Sequence, residues 1–209
     1  MRRDSLVFAV SGVFFGFIVG WVLHDQYGRD SRPAAPLTAA EQPASSGESA
    51  VQRAAPPRVD EARARELRAA ADRDGSDPKP RIELGNVYFD AERYDEAIQW
   101  YEAALALDPR NVNVSTDLGV SYYYTKQADR ALQQFARSLK IDPSHTKTIL
   151  NMGIVRAFGK QDLAGAAEAW QKVIALAPDS PEGRAAQQAL TAMKSAHPGL
   201  TGGPPGGER

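Results

Sequence analysis

The pattern of hydrophobic and polar positions divides the chain into four parts. Residues 6–23 form an apolar run without a charge, whereas residues 30–58 are rich in Ala, Pro and Ser and have no hydrophobic period. Residues 59–197 place apolar side chains at the three- and four-residue spacing of amphipathic helices, and residues 198–209 are mostly Gly and Pro. The pattern predicts, in order, a membrane anchor (1–29), a disordered linker, an all-α domain and a disordered tail.

The apolar run predicts one transmembrane helix. Leu6–Leu23 has the length to cross about 27 Å of bilayer. Arg2 and Arg3 precede it, so the positive-inside rule places the N-terminus in the cytoplasm. This predicts a single-pass protein of a bacterial inner membrane, with its helical domain on the periplasmic side. The alternative is a cleaved signal peptide; the length of the run and the lack of an A-x-A cleavage site favour the anchor.

Three glycines recur every fourth residue within this run. Gly12, Gly16 and Gly20 would share one face of the predicted helix, where small residues allow another membrane helix to approach closely. The face predicts a homodimer or a contact within a membrane complex. Glycine is also common in membrane helices generally, and that explanation stays equally open.

A period of 34 residues recurs within the helical region. LGNVYFDAERYDEAIQWYEAALALDP (84–109) is followed by LGVSYYYTKQADRALQQFARSLKIDP (118–143) and by MGIVRAFGKQDLAGAAEAWQKVIALAP (152–178), which is one residue longer. Glycine and alanine allow two helices to approach closely, an aromatic residue fills the wedge between one helix pair and the next, and proline ends the second helix. The recurring positions are Leu84/Leu118/Met152, Gly85/Gly119/Gly153, Ala97/Ala131/Ala166, Tyr101/Phe135/Trp170 and Pro109/Pro143/Pro178.

These columns together resemble the tetratricopeptide repeat (TPR). The resemblance implies an all-α, right-handed solenoid that is built from helix pairs. Its repeats are expected at about 78–111, 112–145 and 146–180, with flanking helices at 60–73 and 181–195.

The third repeat departs from the pattern. Arg156 stands where the first two repeats have Tyr88 and Tyr122. Its additional residue is assigned to the turn GKQDLAG (159–165). We expect this repeat to pack least regularly.

By the same resemblance, the first helix of each repeat lines a concave groove that binds other proteins. The groove is apolar and aromatic for a surface, which suits an extended or helical peptide. Phe89 and Tyr123 are expected to project side by side along one wall, although packing within their own helix pairs is the alternative. The predicted partner-binding residues are Asn86, Phe89, Asp117, Val120, Tyr123, Tyr124, Lys147, Asn151, Ile154 and Phe158.

One known TPR ligand is not expected. TPR domains that hold a C-terminal carboxylate need five basic or amide residues in the groove. The corresponding positions in this chain are Ile82, Asn86, Asp117, Lys147 and Asn151. Only Asn86 and Lys147 suit a carboxylate, and Asp117 would repel one.

Composition excludes several other classes of function. The 26 acidic and 25 basic residues give a net charge of −1, which does not favour nucleic-acid binding. The chain has no cysteine, and His24, His145 and His197 are too scattered to predict a metal site. Nucleophile, phosphate-loop and dinucleotide motifs are lacking. We therefore predict no enzyme activity and no cofactor.

The predicted function is that of a membrane-anchored interaction scaffold or chaperone in the bacterial cell envelope. The plan resembles that of apocytochrome c chaperones of cytochrome c maturation, although that family commonly has two spans where this chain shows one. Translocon-associated chaperones with a single anchor match the topology better, and a plain assembly scaffold of a membrane complex is the third possibility. The alternative from the signal-peptide interpretation is a soluble periplasmic or secreted TPR adaptor. The partner itself is not indicated by the sequence.

Overall fold

The structure is a computed structural model, and it describes residues 57–197. This range contains eight α-helices and no strand. The predicted membrane anchor with Gly12, Gly16 and Gly20, nearly all of the predicted linker, and the predicted tail lie outside the described residues.

The eight helices follow one another with short connections. Each helix makes its main contacts with the helices before and after it in the chain, as in a solenoid. The helices are α1 (Glu61–Arg73), α2 (Lys79–Asp90), α3 (Tyr94–Leu107), α4 (Val112–Tyr124), α5 (Ala128–Ile141), α6 (Thr146–Ile154), α7 (Leu163–Leu176) and α8 (Pro181–Ala196).

Polar side chains fix where several of these helices begin. Asp60, Asn111 and Asp162 each accept a hydrogen bond from the backbone N–H three residues further on, at 2.9, 3.2 and 2.9 Å. Ser180 does the same at the start of α8, where Pro181 occupies the first helical position. These side chains satisfy N–H groups that have no partner within the helix, so each start is encoded locally.

The spacing of glycine and aromatic residue, which recurs in the three repeats, determines how each helix pair packs. A Cβ atom built on Gly85 would lie 2.3 Å from Tyr101, and one on Gly119 would lie 2.5 Å from Phe135. Gly153 stands in the same relation to Trp170, at 2.4 Å. All three rings are almost completely buried. The aromatic ring therefore lies against the glycine of its own pair, rather than filling only the wedge towards the next pair.

The additional residue of the third repeat lies in its first helix and not in the turn. After α6, residues Val155–Gly159 form a π-helical segment, in which each turn contains one more residue. Gln161 has the left-handed backbone conformation in the following turn, and it stands two residues before the first residue of α7. Glu92 and Lys126 have the same conformation, two residues before the start of α3 and of α5. The turn is thus regular, and the π segment absorbs the insertion.

The predicted localisation in a bacterial inner membrane is corrected by the helices that the structure describes. The longest helix within 57–197, α8, has 16 residues, and none in that range is both long and apolar enough to cross a bilayer. The Leu6–Leu23 run, on which the localisation depended, lies outside these residues.

Candidate functional site

The first helices of the second and third repeats are joined by a row of polar contacts. The Oγ1 atoms of Thr116 on α4 and Thr148 on α6 are 2.6 Å apart. The ring of His145 bridges the same helices, with Nδ1 2.7 Å from Thr148 Oγ1 and Nε2 3.0 Å from Asn113 Oδ1. These contacts hold α4 and α6 side by side. Nine of the ten residues predicted to bind a partner lie on these two helices and on α2, and Phe158 lies on the π segment after α6.

An ion pair crosses between the same two helices. The ammonium of Lys147 donates to Asp117 Oδ1 at 2.8 Å. The two side chains are only 15% and 10% exposed, so water screens their attraction much less than at an open surface. The charge of Asp117, which the sequence presents as a repulsive feature, is thus balanced within the protein.

Three aromatic rings form a cluster at the ends of α2 and α4. Phe89 lies edge-on to Tyr94 and Tyr124, with centroids 5.3 and 6.1 Å away. The rings of Tyr94 and Tyr124 stack at 4.5 Å with an interplanar angle of 10°. We call Phe89, Tyr94 and Tyr124 the aromatic cluster. Phe89 and Tyr94 belong to the first repeat and Tyr124 belongs to the second, so the cluster joins these two repeats.

Tyr123 points to a different neighbour. Its ring is 5.9 Å from that of Tyr124, and its Cε2 atom lies 3.4 Å from a Cβ built on Gly159 in the π segment. The expected wall of Phe89 beside Tyr123 is therefore not what the structure shows. Tyr124 lies between them, because Phe89 turns towards α3 while Tyr123 turns towards the third repeat.

Burial keeps the phenols of the cluster protonated. It raises the pKa of Tyr124 to about 12, with smaller contributions from Tyr123 and from the negative charge of Glu92. It also raises the pKa of Tyr94, to which Tyr124 and Glu92 contribute. Both side chains are therefore neutral at physiological pH, and they can offer apolar ring faces together with a hydroxyl donor.

A cleft of about 390 Å³ lies beside the cluster, between the helix turns of the first and second repeats. Its walls combine the two stacked tyrosines with charged and polar side chains. The lining residues are Glu92, Arg93, Tyr94, Asp95, Glu96, Tyr124, Thr125, Lys126 and Gln127. An ion pair between Arg93 and Glu96 fixes part of this wall.

The ten predicted groove residues differ widely in accessibility. Phe158, on the π segment, is 49% exposed. Asn86, Phe89, Tyr123, Tyr124 and Lys147 are half-buried. The other four are buried, which makes them the floor of the groove and not its contact surface: Asp117, Val120, Asn151 and Ile154.

Sequence reasoning missed one member of the site, Tyr94. It is the first residue of α3, whereas the prediction assigned the groove to first helices only. Its sequence signal was an aromatic residue at a helix start, directly after a turn rich in charge. In contrast, Tyr122 is buried, with the Arg130 guanidinium 4.0 Å from its ring centroid.

Metal chemistry finds no support in this part of the chain. Within residues 57–197, no group of three or more His, Asp or Glu side chains could hold a metal ion.

The geometry agrees with a sequence comparison. Residues 85–126, which span the end of α2, all of α3 and α4, and the turn after α4, match the family model described as TPR repeat. The chain contains tetratricopeptide repeats. A search of curated proteins found no match to the sequence.

Several solved structures have a similar fold. The first TPR of Spaghetti (RPAP3), bound to the HSP90 peptide SRMEEVD, is 28% identical with a TM-score of 0.53, covering 59% of this chain and 94% of that one. The Sgt2 TPR domain from Aspergillus fumigatus is 23% identical with a TM-score of 0.53, over 63% and 87%. The structure of MamA is 14% identical with a TM-score of 0.52, over 66% and 88%. The last two show similarity of fold alone.

Proposed function

We propose that this TPR protein is an interaction scaffold or adaptor that binds a peptide segment or helix of a partner protein. The aromatic cluster of Phe89, Tyr94 and Tyr124 carries the proposal. It joins two repeats, stays half-buried and borders an open cleft, which are properties of residues that dominate binding energy at protein interfaces. The peptide bound to the RPAP3 repeat, the similar structure that is 28% identical, supports a peptide as the ligand.

The proposed role is binding without catalysis. TPR folds serve as interaction scaffolds, and the half-buried groove residues offer ring faces and amides for contact. A partner helix could place apolar side chains at i, i+3 and i+7 along the cluster towards Tyr123 and Phe158. A chaperone role would use the same contacts on a client protein.

Substituting the cluster tests the proposal. In the full chain, Phe89→Ala with Tyr124→Ala should reduce capture of partners at least about tenfold, which corresponds to about 1.4 kcal/mol. Capture is measured by affinity purification and quantitative mass spectrometry against the unmodified chain. Helical circular dichroism shows whether the variant is folded.

A control removes two large apolar side chains elsewhere. Leu107 and Leu176 are 39% and 46% exposed at the ends of α3 and α7, which are second helices of their repeats. Leu107→Ala with Leu176→Ala should leave capture unchanged. If the cluster variant is folded and captures as well as the wild type, the proposal is wrong. If the alanine variant is unfolded, the variant Phe89→Leu with Tyr124→Leu replaces it, because leucine retains more apolar volume. Its capture of partners is then compared with that of the wild type in the same way.

A further inference from the structure

The cleft beside the aromatic cluster carries an excess of negative charge. Among its charged lining residues, Arg93 and Glu96 form an ion pair and offset each other. The remaining charges are the carboxylates of Glu92 and Asp95 and the ammonium of Lys126, and all three residues are exposed. Since two carboxylates share a single ammonium, the wall of the cleft keeps one net negative charge.

The negative charge of Glu92 acts directly on the two stacked tyrosines. Burial raises the pKa of both Tyr94 and Tyr124, and a neighbouring phenol and the Glu92 carboxylate raise it further. A carboxylate that opposes the ionisation of a phenol favours a positive charge at the same place. The two rings therefore lie in a field that attracts cations.

The stacked pair also offers flat ring faces to the cleft, which both tyrosines line. Phe89 lies 5.3 Å from the centroid of Tyr94 and 6.1 Å from that of Tyr124, whereas the stacked rings are 4.5 Å apart. A ring over the outer face of one tyrosine would be much farther from the other. Phe89 therefore lies beside the stack and covers neither outer face. Such a face attracts a cation, and a planar guanidinium can stack on it.

We propose that the cleft binds an arginine side chain of the partner segment. The inference rests on the proposed peptide-binding function and names the class of partner: a basic segment whose guanidinium stacks on Tyr94 or Tyr124 and pairs with Glu92 and Asp95. The guanidinium supplies the positive charge that the wall lacks, and the cleft of about 390 Å³ has room for it and for its apolar stem. A lysine would bring the charge without the flat face.

Selection from a displayed library of random peptides on the full wild-type chain tests the inference. Peptides are kept when Phe89→Leu with Tyr124→Leu weakens their binding, which assigns them to the aromatic cluster. We expect these peptides to be enriched in arginine relative to the library. In the tightest of them, citrulline then replaces the enriched arginine, because it has nearly the same shape and no charge. The exchange should weaken binding to the wild type at least about tenfold by fluorescence anisotropy.

A variant of the cleft shows whether its carboxylates hold the arginine. Glu92→Gln with Asp95→Asn removes both charges and keeps the shapes, so the citrulline exchange should cost this variant about threefold or less. Asp72→Asn with Glu168→Gln is the matched control, since it makes the same change at exposed positions on α1 and α7. It should keep the full tenfold effect. Circular dichroism shows that each variant is folded, and Glu92→Gln alone replaces a double variant that is not.

The inference is overturned if no selected peptide depends on the cluster, or if the dependent peptides are not enriched in arginine. It is also overturned if the citrulline effect persists without the cleft carboxylates. Dependent peptides without arginine would contradict the basic ligand while supporting a peptide groove. Failure of the aromatic-cluster experiment would contradict the groove itself, and that experiment measures capture of natural partners and uses no library peptide.

Discussion

At the scale of single residues, His145 links protonation to the packing of repeats. It is the residue before α6, and its two ring nitrogens contact Thr148 and Asn113. Burial lowers its pKa, and the charge of Lys147 acts in the same direction, while Asp142, Asp117 and Glu182 oppose the shift. The folded state therefore accepts the proton less readily than the unfolded chain does.

The sign of this shift predicts a loss of stability in weak acid. When the pKa of a histidine is lower in the folded state, the protein has its full stability above the ordinary histidine pKa of about 6.5. Stability is lost as the pH falls from there through the pKa of the folded state, because the unfolded chain binds the proton first. The free energy of unfolding should therefore decrease between about pH 7.5 and pH 5.5. Urea titrations followed by circular dichroism measure it. His145→Gln should give a flatter profile in this window, and an equally steep profile would contradict the assignment to His145.

For single residues, the sequence predicted the packing within a helix pair better than it predicted the contacts of the aromatic cluster. The glycine and aromatic columns indicated close helix contacts. A glycine on the first helix leaves space where a Cβ would be, and the aromatic ring of the second helix fills that space. The partners of Phe89 were not predictable, because Tyr94 and Tyr124 reach it from two other helices. Their meeting depends on the angle between repeats, which no short pattern of residues expresses.

At the scale of elements, the third repeat shows how a solenoid accommodates an insertion. Spacing revealed one extra residue between Gly153 and Ala166, but its assignment to the turn was wrong, because the first helix contains it. In each repeat the turn contains a residue with left-handed backbone conformation, two residues before the start of the second helix. The first helix has the freedom to widen, so Val155–Gly159 becomes π-helical and Phe158 is left exposed.

Deleting Gly159 tests this account of the third repeat. The deletion should convert the π segment into α-helix and restore the spacing of 34, so the free energy of unfolding should change by less than about 1 kcal/mol. Deleting Thr125, the residue after α4 in the second repeat, should cost more than about 3 kcal/mol because α5 would lose register. Chemical denaturation gives both values. Equal costs would place the insertion elsewhere.

At the scale of the whole described unit, stability is distributed along a chain of neighbours. Each repeat contacts the next, and α8 covers the end of the third repeat with its buried residues Ala186, Ala189 and Met193. Such an arrangement unfolds cooperatively when the interfaces between repeats are strong relative to the repeats themselves. Trp170, with no exposed surface, lies at the centre of the third repeat.

Replacing Trp170 should therefore destabilise every repeat and not the third alone. Trp170→Ala is expected to cost about 3–5 kcal/mol of unfolding free energy, because a large ring is removed from a filled core. With Trp21→Phe added, so that Trp100 in the first repeat is the one remaining tryptophan, circular dichroism and tryptophan fluorescence should shift to the same lower denaturant concentration. A first repeat that keeps its midpoint while the helix content falls would show that the repeats unfold independently. Leu176→Ala on the same helix should have little effect, since Leu176 is exposed.

The sequence by itself determined the repeated helix pair, because periodicity, helix-capping residues and the glycine–aromatic contact act within one repeat of the chain. Only the tertiary structure decided the site. Its contacts join residues from different helices, as in the ion pair of Asp117 with Lys147 and the stacking of Tyr94 on Tyr124. The burial of Val120 likewise depends on the neighbouring helices. These distances follow from how one repeat is rotated against the next, and that rotation is the sum of many weak contacts, which no single motif encodes.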